Sequence, residues 1–174
     1  MTDVPTLKYP FLEKAKFNDL HVTKTGEMRA SVQLKGLKTL WFNTGTLCNQ
    51  TFKNFYIESR PTNDRLVYLT TREVVAFLDE LDRSKSAMVE VGFTGGEPFM
   101  NPDFLEIVTE CVERGHRVLI LTNAMRPMMK CESALLNLQA RFAHLITMRV
   151  SLDHYTAFLH DLYRGDRAFE TALT

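Results

Sequence analysis

From residue 37 onward the chain alternates two hydrophobic rhythms: short, nearly continuous apolar runs, and stretches where apolar residues return every three or four positions. Thr39–Asn43 (Thr-Leu-Trp-Phe-Asn) predicts a first strand. Thr70 then stands where a helix N-cap belongs, with Glu73 three residues on and Leu69 and Val74 at the staple positions. Val74, Phe77, Leu78 and Leu81 follow at helical spacing. Residues 88–93 predict a second strand. Asn101 reads as the cap of the next helix with Pro102 at its first position, Phe104, Val108 and Cys111 along one face, and Gly115 as its stop. Residues 117–121 predict a third strand, apolar almost throughout, as burial on both faces requires. Residues 132–142 predict a helix carrying Leu135, Leu138 and Phe142. Residues 146–152 predict a fourth strand, 155–163 a fourth helix, and 168–174 a further helical stretch. Ahead of all this, residues 19–33 read as a small hairpin turning at Lys24-Thr25-Gly26-Glu27.

Strands and helices alternating at this spacing predict an α/β fold with about four parallel strands and crossover helices. The pattern admits an open doubly wound sheet or part of a β/α barrel. Both gather ligand chemistry at the C-terminal ends of the strands. The polar and glycine residues fall there: Asn43-Thr44-Gly45, Thr94-Gly95-Gly96-Glu97, Thr122-Asn123, and Ser151 to Asp153. Two regions are expected, an N-terminal extension over 1–36 and a core over 37–174. Four strands do not close a barrel, so uncovered edges would favour self-association. The last residues, Ala-Leu-Thr, carry no helix-stop signal and read as a cut within a longer barrel.

Composition narrows the function classes. A chain of 174 residues is long enough for one real core, and 45% hydrophobic with 24% charged residues is ordinary for a soluble domain. Lys+Arg and Asp+Glu balance at 21 each, which argues against nucleic acid or an anionic membrane as partner. Met1-Thr2-Asp3-Val4-Pro5 lacks a signal peptide's basic start, and no apolar stretch is long enough to span a bilayer, so a cytoplasmic location is expected. Three cysteines, an odd count, argue against a disulfide framework.

The candidate chemistry follows the first strand. The sequence there is Cys48-Asn49-Gln50-Thr51-Phe52-Lys53-Asn54-Phe55-Tyr56. Cysteine at 52 and 55 would give Cys-x3-Cys-x2-Cys; phenylalanine stands at both. A lone cysteine is more often a small buried residue than a ligand. Gly95-Gly96 either makes a turn or lets backbone approach a ligand. Asp153 reads as the N-cap of the fourth helix. Cys111, on an apolar helix face, reads as core, and Cys131 lies on the rim. His116, His144, His154 and His160 show no metal-ligand spacing and read as surface or rim groups.

Taken in order, the Cys48 loop, Thr94-Gly95-Gly96-Glu97-Pro98, Leu121-Thr122-Asn123 and Ser151-Leu152-Asp153 with Arg164-Gly165 resemble the core of the radical S-adenosylmethionine (SAM) superfamily over residues 37–173. The resemblance implies a partial (β/α) barrel and an oxidoreductase. In that family three thiolates hold a [4Fe–4S] cluster, whose electron cleaves SAM to a 5′-deoxyadenosyl radical. It assigns Cys48 as a cluster ligand, with Phe52 and Phe55 at the other two ligand positions. It assigns Tyr56, Gly95, Gly96, Glu97, Asn123 and Ser151 to SAM. Soft, anionic thiolate is what such a cluster needs, and phenylalanine has no donor atom. Two functions stay open: a truncated or degenerate copy without catalysis, acting on no substrate the sequence identifies, or a non-catalytic module that binds SAM or a partner. A phosphate- or nucleotide-binding α/β protein is a third class, from fold alone, without a Walker or Rossmann fingerprint.

Overall fold

Four parallel strands lie side by side in chain order: β1 (Thr39–Asn43), β2 (Glu90–Thr94), β3 (Arg117–Thr122) and β4 (Ile146–Val150). The computed structural model describes residues 19–33, 35–50, 59–84 and 88–173. Helices α1 (Thr71–Arg83), α2 (Phe104–Glu113), a four-residue α3 (Arg126–Met129) and α4 (Glu132–Phe142) fall between the strands, and α5 (Ala157–Arg164) and α6 (Ala168–Leu173) follow them. The expected α/β class, with parallel strands and crossover helices, is what the chain has. Among the described residues no helix is long and apolar enough to cross a membrane.

Register aligns one row of side chains across the sheet: Phe42 opposite Phe93, Phe93 opposite Ile120, Ile120 opposite Met148. Strand side chains alternate between faces. Phe42, Val91, Phe93, Val118 and Ile120 share one face and pack in the core with Val74, Leu78 and Leu81 of α1, Phe104, Ile107 and Val108 of α2, and Leu138 of α4. Aromatic edges knit this layer, with Phe93 and Phe99 each T-shaped on Phe104 at 5.3 and 5.0 Å. Each fully buried ring contributes about 1.5–3 kcal/mol relative to exposure. Trp41, Gly92, Leu119, Thr147 and Arg149 occupy the alternate positions, on the opposite face. A Cβ on Gly92 would lie 2.5 Å from Trp41 Cε3, so glycine is what lets the indole settle on β2. Trp41 remains 47% exposed there.

The start of α1 follows its sequence signals. Thr70 Oγ1 accepts from Glu73 N at 3.3 Å, and Glu73 Oε2 accepts from Thr70 N at 2.8 Å, a complete capping box. Other ends differ. Helix α2 begins at Phe104, two residues later than a cap at Asn101 with Pro102 first predicts; Asn101 Oδ1 accepts from Asp103 N at 2.9 Å in the turn ahead of the helix, and its Nδ2 donates to Leu69 O at 2.7 Å. Asn101 thus ties the entry of α1 to the turn that leads into α2. Thr156, not Asp153, precedes α5; the Asp153 carboxylate is taken by Arg164. Two histidines expected at the surface or rim, His116 and His160, are buried, His160 with its ring against Phe169. The short α3 and a 3₁₀ turn at Pro98–Met100 carry too few residues to show a period.

The described residues up to Lys35 belong to a different unit from those that begin at Gly36. Within it Val22 and Met28 make an antiparallel bridge, closed by a turn in which Gly26 takes φ +84°.

Candidate functional site

Beyond their last paired residues, β1 and β2 continue to zip together. Thr44 N donates to Thr94 O at 2.8 Å, Gly96 N to Gly45 O at 2.8 Å and Glu97 N to Leu47 O at 3.0 Å. Two backbones this close leave no room for a Cβ. At Gly95, with φ +128°, it would lie 2.6 Å from both Asn43 Oδ1 and Gly45 O; at Gly96 it would overlap the Leu47 carbonyl. The glycine pair is therefore fixed by the approach of the β1 loop, whatever else its N–H and C=O groups meet.

That approach delivers the Glu97 carboxylate into the sheet's C-terminal end. Glu97 Oε1 accepts from Thr122 Oγ1 at 2.8 Å and from Phe99 N at 3.3 Å, and Oε2 accepts from Asn123 N at 2.9 Å. Glu97 is 2% exposed, and burial pushes its carboxyl above the usual range while these three donors pull it back. A carboxylate offers about four acceptor positions, so one remains. No side-chain cation forms an ion pair with Glu97 among the described residues.

Cys48 lies beside it, also 2% exposed. Its Sγ accepts from Gln50 N at 3.5 Å and from Asn123 Nδ2 at 3.8 Å. Burial, with the Glu97 charge adding to it, pushes the thiol up. The residues after Cys48 reach across the strand ends: Asn49 Oδ1 accepts from Asn123 Nδ2 at 2.9 Å, and Gln50 Nε2 donates to Arg164 O at 3.2 Å. Ser151 joins from β4, its N–H donating to Thr122 O at 2.9 Å.

Cys48, Gly95, Gly96, Glu97, Asn123 and Ser151 thus come together around one cavity of about 140 Å³, lined also by Thr122 and Arg164. Both additional residues sit in the sequence segments that carried the resemblance, yet neither stood out as a site residue. The Arg164 guanidinium is held by Asp153 through a two-pronged pair at 2.7 and 2.9 Å, which keeps the Asp153 carboxyl below its usual range. Phe52, Phe55 and Tyr56 lie outside the described residues. Cys111 is in the core, its thiol pushed up to about 12 by burial, and Cys131 precedes α4 and packs on that core; neither lines the cavity.

This donor set does not fit an iron–sulfur cluster. Among the described residues no three His, Cys, Asp or Glu side chains are grouped to hold a metal ion. Of positions 48, 52 and 55 only the first carries sulfur, where such a cluster takes three thiolates.

The family model of the radical SAM superfamily matches residues 46–174. Mycofactocin maturase MftC of Mycobacterium tuberculosis is 31% identical over 105 residues, which are 60% of this chain and 25% of the relative. MftC of Mycobacterium ulcerans is 35% identical over 107 residues, 60% of this chain and 27% of that one. The crystal structure of Streptococcus suis SuiB bound to S-adenosylmethionine superposes with a TM-score of 0.62 at 19% identity, over 77% of this chain and 29% of that chain. SuiB bound to its precursor peptide SuiA gives the same TM-score over 76% of this chain and 28% of that one. At this identity the likeness shows the fold. The chain spans about a quarter of the length of the curated relatives it matches.

Proposed function

This chain belongs to the radical SAM superfamily, and on that premise we propose that it is a degenerate copy that, as written, holds no [4Fe–4S] cluster and performs no radical chemistry. One observation carries the reading: of the three ligand positions only Cys48 has sulfur, and phenylalanine stands at 52 and 55. The test is anaerobic reconstitution with iron and sulfide, using Phe52→Cys/Phe55→Cys as comparator. We expect no stoichiometric iron, no sulfide and no broad visible absorption in the unaltered chain. A cluster there overturns the reading. Uptake by the double variant marks the framework as intact and ligation as what was lost.

A second reading is favoured by Glu97. A buried carboxylate with a spare acceptor position and no ion-pair partner among the described residues suits a ligand ammonium. In this reading the chain is a SAM-binding or partner-binding module. Glu97 takes the amino group, Gly95 and Gly96 bring backbone groups to the ligand, Asn123 and Ser151 hydrogen-bond it, and Tyr56 packs on it. The cavity of about 140 Å³ takes the amino-acid end of SAM, being smaller than the roughly 300 Å³ at which whole-ligand pockets begin. Calorimetry with SAM and no iron tests it: micromolar binding supports the module, and no heat removes SAM as its ligand. MftC is named a maturase and SuiB has been crystallised with a precursor peptide; a substrate or partner for this chain is proposed by that analogy. We further propose residues 1–36 as an extension on a core over 37–174, forming part of a barrel, a cytoplasmic location, and self-association through uncovered barrel edges.

A further inference from the structure

Away from the Cys48 cavity, two depressions flank the short helix α3. One, of about 570 Å³, lies between Asn49-Gln50 and α3 and is lined also by Met100, Met125, Arg126 and Lys130. The other, of about 500 Å³, is apolar; Met128, Met129, Leu136, Met148 and Val150 are on its walls. Both are also lined by Thr171 of α6.

We propose that these depressions form one docking surface for an acidic peptide segment, its carboxylates on Arg126 and Lys130 and its apolar side chains in the methionine groove. The inference deepens the partner-binding reading above and rests on it. Arg126 and Lys130 stand four residues apart and face the same cleft, and neither has an ion-pair partner among the described residues. Two unneutralised cations side by side repel each other and attract carboxylate.

The rest of the surface selects the occupant. Methionines line both depressions, and their unbranched, polarisable side chains adapt to varied aliphatic or aromatic groups. Two adjoining grooves exceed what a compact ligand fills, and suit an extended chain. Glu132 lines the apolar groove, so carboxylates are repelled there and directed towards Arg126 and Lys130. Nucleic acid fits poorly, since the cleft presents two cations and no aromatic stacking platform.

The test is fluorescence anisotropy on the full chain with labelled Glu-Leu-Glu-Phe-Glu-Leu-Glu. Lys-Leu-Lys-Phe-Lys-Leu-Lys, Glu-Ser-Glu-Ser-Glu-Ser-Glu and a thymidine oligonucleotide serve as controls. The first peptide should bind, and each control should bind at least about tenfold more weakly. Arg126→Glu/Lys130→Glu should lose that binding and gain the lysine peptide, with its thermal unfolding unchanged. The exchange of partners separates docking from folding. Equal binding of both charged peptides, preference for the oligonucleotide, or an unaltered affinity in the double variant overturns the proposal. So does a dimer that the peptide fails to dissociate, since a second copy then fills the groove. Iron uptake by the unaltered chain strikes the functional reading separately, because none of these titrations involves iron.

Discussion

The Glu97 carboxylate accepts the backbone N–H of Asn123 at 2.9 Å, joining the end of β2 to the end of β3. Family resemblance offers this glutamate to a ligand; the fold already uses three of its acceptor positions. The strand ends are thus braced by the same side chain that the resemblance assigns to a ligand.

Replacing Glu97 by glutamine keeps the shape but turns an N–H towards the Asn123 N–H. Glu97→Gln should therefore lose about 1–3 kcal/mol, the cost of an unsatisfied buried donor. Urea unfolding of the purified variant measures it. A midpoint equal to wild type would show that Glu97 does not brace the strand ends.

Gly96→Ala places a methyl on the Leu47 carbonyl, which belongs to backbone and has little freedom to yield. A loss of about 1–3 kcal/mol is expected, as for overpacking elsewhere. Gly36, where a Cβ meets nothing within 4 Å and φ is not positive, supplies the control, and Gly36→Ala should be near neutral. Equal stability of the two variants would contradict the tight approach of the β1 loop.

Burial pushes all three thiols upward, but Cys48 and Cys111 are buried whereas Cys131 is half-buried. Alkylation near pH 8 follows the thiolate fraction and access. Cys131 should be labelled first, and Cys48 and Cys111 at full rate only in denaturant. Fast native labelling of Cys48, read by peptide mass, would mean that its thiol is ionised and open.

His116 is buried with neither ring nitrogen hydrogen-bonded, and burial holds its pKa below the ordinary 6.5. The unfolded chain consequently takes up this proton at higher pH than the folded chain does. The stability tied to His116 is complete above about 6.5 and is lost as pH falls from there through the lower folded value. Chemical unfolding from about pH 7.5 to about 5 should show the decline, and His116→Gln should flatten it. The lowered carboxyl of Asp153 acts in the same direction, in a more acidic window below its ordinary 3.8.

Local signals in the sequence were followed closely where one element decides the outcome. Thr70 and Glu73 set the start of α1 because both halves of a capping box lie within four residues. The unbroken apolar run from Val118 fixes β3 because both faces of that strand meet other residues. Legibility failed where a side chain answers to a distant element. Asn101 looked like a cap, but its amide serves Leu69, thirty-two positions away. His160 carries no sign of burial in its neighbours; its Nδ1 accepts from Asp153 N at 3.2 Å only after α5 folds back on the β4 loop. At the site, the order of motifs pointed to the strand ends and to Cys48, Gly95, Gly96, Glu97, Asn123 and Ser151. That Glu97 and Cys48 would be buried neighbours, the carboxylate adding to the burial that pushes the thiol up, is a property of packing that no spacing encodes.

The chain has a single tryptophan, and it rides on Gly92 across the sheet from the helices, half open to water. Its emission is therefore a built-in optical reporter of that face. Any peptide, extra strand or second copy that settles over it shifts one uncrowded fluorescence band, and no label has to be attached to see it.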